Sequence, residues 1–204
     1  TMVLGNNEEY LLRLDRGDAP GWWRTAKQWT FTRWVYRHMD RPSLDLLHSL
    51  PVQRVFDFPG TAPIRLFHGT PRSANEHLYP GMGREPLEAA FAATTEAVLV
   101  CGHTHTPWQE RRDGRLAFNP GAVFFPNNHD PGAQYALLAW DGSRWQVEHH
   151  SVAFDHARVR RDFEKTGLLE EGGAFARACL LSVECGWNLA LELIDHAFGL
   201  AARL

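Results

Sequence analysis

The chain has 204 residues, 44% hydrophobic and 22% charged, and its eight Trp and twelve Phe carry too much apolar surface for an unfolded polypeptide. With 21 basic and 24 acidic residues the net charge is −3 at pH 7, which argues against bulk electrostatic binding to nucleic acid or a membrane surface. Three cysteines, none spaced as C-x-x-C, argue against a secreted disulfide framework or a thiolate zinc site and point to a reducing, cytoplasmic setting.

Thr1 to Tyr10 lacks the basic-then-apolar order of a signal peptide. The most apolar run, Ala178 to Leu200, is broken by Glu184, Asn188, Glu192, Asp195 and His196, so no membrane span is expected. In chain order, Met2-Val3-Leu4 reads as the end of a buried strand and Glu9 to Arg16 as a helix. Trp22 to Leu50 has apolar residues near helical spacing; after the Arg41-Pro42 break Ser43 is the expected N-cap, and Pro51 ends the segment. Strands are expected over Gln53 to Phe58, Ile64 to Phe67, Val98 to Cys101 and Leu116 to Phe118, with an Ala- and Glu-rich helix over Arg84 to Ala97. Tyr135 to Trp140 and Trp145 to His150 form a hairpin through Asp141-Gly142. Asp155 to Leu204 is helical, broken near Gly172-Gly173. The expected organisation is an α/β domain over 1–154 and a helical C-terminal extension over 155–204 packed on it.

Of eleven histidines, His38, His48 and His196 fall in helical stretches and need no special role. His103 and His105, in Cys101-Gly102-His103-Thr104-His105-Thr106-Pro107, directly follow a buried strand. In extended chain such alternate side chains lie about 6.5–7 Å apart on one side and can serve one metal or two neighbouring ones. His68 follows a second apolar strand, and Asn6 a third strand-like run, each beside a glycine. Sites in open α/β sheets form at the carboxyl ends of strands, and converging neutral N and O ligands suit manganese, iron, nickel or zinc.

These residues also carry a family resemblance. Gly5-Asn6-Asn7-Glu8, His68-Gly69-Thr70-Pro71, Gly102-His103-Thr104-His105 and Asn119-Pro120-Gly121-Ala122-Val123 follow, in order, motifs of the calcineurin-like metallophosphoesterases, in particular the small prokaryotic phosphodiesterase branch. The resemblance spans Met2 to Phe154 and implies a four-layer α-β-β-α sandwich with two divalent transition metals at the strand ends. It implies that Asn6, His68 and His103 are ligands of one metal and that His105 reaches the other. Two metals about 3.5–4 Å apart would clamp a phosphate and acidify a bridging water. The implied substrate is a phosphate ester, a nucleotide among the candidates.

The chain departs from the pattern twice. The D-x-H and G-D-x-x-D motifs, which supply the bridging carboxylate, would precede Gly5, and only four residues do; an N-terminally truncated domain with impaired activity is therefore expected. Asp57 and Asp130 are the carboxylates to consider as substitutes, although their spacing gives them no support. Asn7 stands where the family has His; it can donate to phosphate as the catalytic contact but cannot act as an acid near neutral pH. Arg72 and Asn75, just after His68, are the candidate substrate-binding residues. The Trp22 to Trp34 stretch is expected over the mouth of the site. Against the hydrolase stand a non-catalytic interaction scaffold on the same fold, with a retromer subunit as precedent, and a mononuclear metal-binding domain. An apolar tail face from Phe175 to Phe198 suits a homodimer or another partner, with packing on the sheet of its own chain expected first.

Overall fold

The computed structural model describes residues 1–193 and 196. Helix α1 covers Asn6–Arg16 and starts three residues earlier than its apolar pattern implied, because Gly5 leads in with extended backbone and its N–H donates to Glu8 Oε2 (3.1 Å). Gly17, at φ +75°, ends it in the left-handed conformation. Met2 to Leu4 form no strand: the Leu4 N–H donates to the Pro51 carbonyl (2.8 Å), a lone bond where a ladder would be needed. Two short 3₁₀ turns, Gly21–Arg24 and Lys27–Trp29, lead into α2 (Thr30–His38). Helix α3 (Arg41–Ser49) is capped by Asp40, whose side chain accepts from the Ser43 N–H (2.9 Å). Pro42 therefore lies inside the first turn, where its missing donor costs nothing, and Ser43 is not the cap.

Strands β1 (Gln53–Phe56) and β2 (Ile64–Phe67) are antiparallel. Helix α4 (Glu85–Ala92) stops five residues short of the expected end. Thr94 bonds back to the Ala90 carbonyl (2.9 Å), and Glu96 is drawn off to a two-pronged contact with Arg65 (2.6 and 2.8 Å). Strand β3 (Val98–Val100) follows, then β4 (Trp108–Arg112) and β5 (Arg115–Asn119), joined by Asp113-Gly114 with both residues at positive φ. The polar run Gln109 to Arg112 hid β4 from the hydrophobic pattern; an edge strand tolerates such a run, and Asp-Gly is its hairpin signal. Strands β6 (Ala133–Trp140) and β7 (Trp145–Val152) form the expected hairpin through Asp141-Gly142. The extension contributes α5 (His156–Lys165), α6 (Leu168–Glu171) and α7 (Gly173–Cys185); Gly186, at φ +69°, breaks the expected helical tail a second time before helix resumes at 189, and 194, 195 and 197–204 lie outside the described residues.

The main sheet runs β1-β2-β3-β5-β4, with β2, β3 and β5 parallel and antiparallel strands at both edges. Alternation assigns its faces. Phe67, Leu99 and Ala117 face Leu87 and Ala90 of α4, while Ile64, Val98, Leu116 and Phe118 pack against Trp145, Ala136, Leu138 and Val147 of the hairpin. The hairpin turns Tyr135, Leu137 and Val152 outward, where they are exposed. A second core joins Trp34 of α2 to Phe163, Leu168, Ala176 and Leu180. Helix α7 thus packs on helices rather than on the sheet, because its small residues at 176 and 178–179 admit the bulky side chains of its neighbours. This is the expected α/β class with a helical C-terminal region.

Candidate metal centre

Because β2, β3 and β5 are parallel, their carboxyl ends meet at one edge of the sheet. His68 leaves β2 there, Gly102-His103 leaves β3, and Asn119 ends β5. The first turn of α1 abuts them. Asn6 Oδ1 lies 2.9 Å from His68 Nε2, and the other edge of the His68 ring rests on Gly5 and Gly102. A Cβ on Gly5 would come within 3.1 Å of His68 Nδ1, so glycine permits this approach. The His103 ring stands 5.1 Å from His68 and 4.8 Å from His77.

His103 (φ +66°) and His105 (φ +56°) both adopt left-handed backbone, at a cost of about 1–2 kcal/mol each. They therefore do not alternate as in a strand: His103 turns toward His68, while His105 packs on Phe125 and its Nδ1 pairs with the Phe125 carbonyl (2.9 Å). Buried Asn119 holds this turn. Its Nδ2 donates to the Gly102 carbonyl (2.7 Å) and Thr104 Oγ1 (3.1 Å), and its Oδ1 accepts from the Gly121 N–H (2.9 Å). The Gly102 N–H also donates to the His68 carbonyl (2.6 Å), clamping the two strand ends together.

Burial pushes the pKa of His68 and of His103 down to about 4, with the neighbouring imidazoles adding to the shift, and burial also lowers that of His105. All three are neutral near pH 7, the form that binds a metal. With Nδ1 of His105 donating to a carbonyl, its Nε2 keeps the lone pair. The Asn6 and His68 donor atoms are spaced like adjacent ligands of one ion about 2.1 Å from each. The set suits a divalent ion of the manganese-to-zinc series. Among the described residues no group of three His, Cys, Asp or Glu is close enough to hold a metal, and no carboxylate lines the cavity described next, so the described residues offer Asn6 and His68 as a ligand pair with His103 beside it and no carboxylate bridge for two ions. Asp130 is engaged with the Gly132 N–H (2.9 Å), and neither it nor Asp57 reaches that cavity.

A cavity of about 640 Å³ opens onto this edge, lined by Asn6, Asn7, His103 and His105 at one part and by Trp22, Trp29, Phe125 and Phe175 elsewhere. Of the Trp stretch, Trp22 and Trp29 line the cavity while Trp34 belongs to the second core, and the extension reaches the cavity through Phe175, Asn188 and Leu191. Asn7 is exposed in the cavity. Arg72 is not among its lining residues: it pairs with Glu76 (3.2 Å) and faces a smaller cavity of about 180 Å³. Asn75 accepts from the Tyr10 hydroxyl (2.5 Å), which ties the loop after β2 to α1. His77 lines both cavities. Sequence reasoning missed it because it follows no strand; its signal was a second imidazole in the loop opened by His68.

A family model described as the calcineurin-like phosphoesterase superfamily domain matches residues 1–143. Phosphodiesterase YfcE of Escherichia coli K12 is 38% identical over 96 residues, 42% of this chain and 45% of that protein. The chain thus spans about half the length of the curated relatives it matches. Among solved structures, a metallophosphoesterase from Sphaerobacter thermophilus superposes with a TM-score of 0.68 at 24% identity, over 90% of this chain and 76% of that one. Protein PH1004 from Pyrococcus horikoshii OT3 gives 0.66 at 17% identity, over 83% and 69%. At these identities the structural neighbours show a shared fold.

Proposed function

The chain belongs to the calcineurin-like phosphoesterase superfamily, and on that premise we propose that it carries the neutral-ligand half of a metal-dependent phosphoesterase centre acting on phosphodiesters or phosphomonoesters. What supports this is the 2.9 Å approach of Asn6 Oδ1 to His68 Nε2 beside His103. Asn6, His68 and His103 would hold one divalent ion and His105 would reach a second. Manganese, iron, nickel and zinc all suit the donors. Divalent metals bound there supply Lewis acidity and an acidified water. Asn7 donates its amide to the substrate phosphate and orients it; being unable to give up a proton near pH 7, it favours esters with good leaving groups. Asn75 braces Tyr10 and hence α1, and Arg72 reaches substrate only when its ion pair with Glu76 opens. Residues 1–154 form the phosphoesterase region and 155–204 an extension on it, tied down where the Gly186 carbonyl accepts the Asn128 and His129 N–H groups (3.1 and 2.7 Å). Cys101, Cys179 and Cys185 are free, which fits a reducing, cytoplasmic setting, and among the described residues no helix is long and apolar enough to cross a membrane.

The absence of a carboxylate among the described cavity-lining residues favours a second reading, a scaffold that binds one metal without turnover. Elemental analysis after dialysis against manganese and zinc, paired with hydrolysis of a nitrophenyl phosphodiester, separates the two. Metal-dependent hydrolysis lost in His103→Ala and His105→Ala supports the enzyme; one tightly held metal without hydrolysis supports the scaffold; no bound metal overturns both.

A further inference from the structure

We propose that the large cavity takes a phosphodiester bearing a single negative charge and one planar, uncharged aromatic group, such as a nucleobase, with Trp22 as the platform on which that group stacks. This deepens the phosphoesterase reading, on which it rests, by naming the substrate class. At about 640 Å³ the cavity falls within the roughly 300–1,000 Å³ of sites that take small organic ligands. Although the chain has 21 basic and 24 acidic residues, none of the described residues lining this cavity is Lys, Arg, Asp or Glu. A phosphate at the Asn6–His103 pole therefore meets neutral donors and whatever metal is held there. A second or third phosphate charge would be desolvated with no cationic side chain to compensate it, so the cavity disfavours polyphosphates.

The aromatic wall supplies the other half. Trp22 is 52% exposed, unusual for so large an apolar ring, yet it is held in place by edge-on contacts with Trp23 (6.1 Å) and Trp29 (5.9 Å), which stack on each other at 3.5 Å. A half-open indole braced edge-on by two neighbouring rings is a ready stacking surface, and base–aromatic stacking tolerates any base. Gln28 and Thr32 line the cavity from the same segment and offer hydrogen bonds to ring edges. Tyr10 links wall and pole: its ring lies 5.2 Å from Trp29, and it stands one turn from Asn6 on α1.

Isothermal titration of the full chain, without metal and with manganese, tests this with adenosine 5′-(methyl phosphate), dimethyl phosphate and adenosine 5′-triphosphate. In metal-free buffer the adenosine diester should bind at least about tenfold tighter than either of the others. Trp22→Ala should weaken it about 5- to 150-fold, Trp22→Phe should restore most of that loss, and neither should change the affinity for dimethyl phosphate. Unchanged diester affinity in a Trp22→Ala protein with wild-type circular dichroism overturns the proposal, as does triphosphate binding as tightly as the diester, a comparison that needs no variant. Failure to hydrolyse any phosphate ester overturns the enzyme reading and leaves these binding ratios standing. Hydrolysis with Trp22-independent binding overturns the substrate class alone.

Discussion

The side chain of Asn119, fully buried at the end of β5, holds the carbonyl of Gly102 at 2.7 Å and so sets the exit path of the chain from β3 into His103. Two left-handed histidines follow within four residues of that carbonyl, and the same amide also reaches Thr104. One residue thus offsets the backbone strain of the whole turn.

Replacing Asn119 by Ala should therefore destabilise the protein by about 1–3 kcal/mol, the cost of leaving buried polar groups unpaired. It should also weaken metal binding, since His103 and His105 lose their fixed backbone. Thr104→Val removes one of the three bonds and should have the smaller effect. Chemical denaturation and metal titration of the two variants provide the comparison; equal effects would remove Asn119 from this role.

Gly69→Ala tests how tightly the loop after β2 is built. An added Cβ would stand 2.5 Å from the Ser73 carbonyl oxygen and 2.6 Å from that of Glu76, both backbone atoms that cannot step aside. The loop must reorganise, and a drop in metal affinity should accompany a fall in Tm. Gly60→Ala, with open space around it but a positive φ, should lower Tm without touching metal affinity.

Acid should weaken the link between β2 and the segment that leads from α4 into β3. The Arg65 hydrogen bonds hold the Glu96 carboxyl below its ordinary value of 4.5, with burial opposing them. A carboxylate whose folded pKa is lowered adds stability that is present above about pH 4.5 and is lost as pH falls through the folded value. Glu96→Gln should flatten the fall of unfolding free energy below pH 4.5. An unchanged slope would show that the pair contributes nothing.

In the core, Leu99 is 1% exposed between β2, β5 and α4. Leu99→Ala should cost about 2–5 kcal/mol by loss of burial plus a cavity. Thermal and urea unfolding should report that loss together, with the urea m-value unchanged if the sheet survives.

By itself the sequence determined the elements whose signals are local. The apolar run of β2, the Asp141-Gly142 hairpin and the break at Gly172-Gly173 are each written in adjacent residues, and the structure places all three as expected. Of the four candidate ligands, Asn6, His68 and His103 were legible because each sits beside a glycine after a strand-like run, and His105 because it completes the H-x-H spacing. Tertiary structure decided what depends on distant partners. Asn6 meets His68 across 62 positions of chain and Asn119 meets Gly102 across 17, so neither pairing has a local signature. The early end of α4 follows from Glu96 bonding Arg65, 31 positions away. Helix α7 turned from the sheet to Trp34 and Phe163 because the hairpin already covers one face and α4 the other. Likewise His105 packs on Phe125 because left-handed backbone, braced by the buried Asn119, replaced the extended chain that the H-x-H spacing presumes.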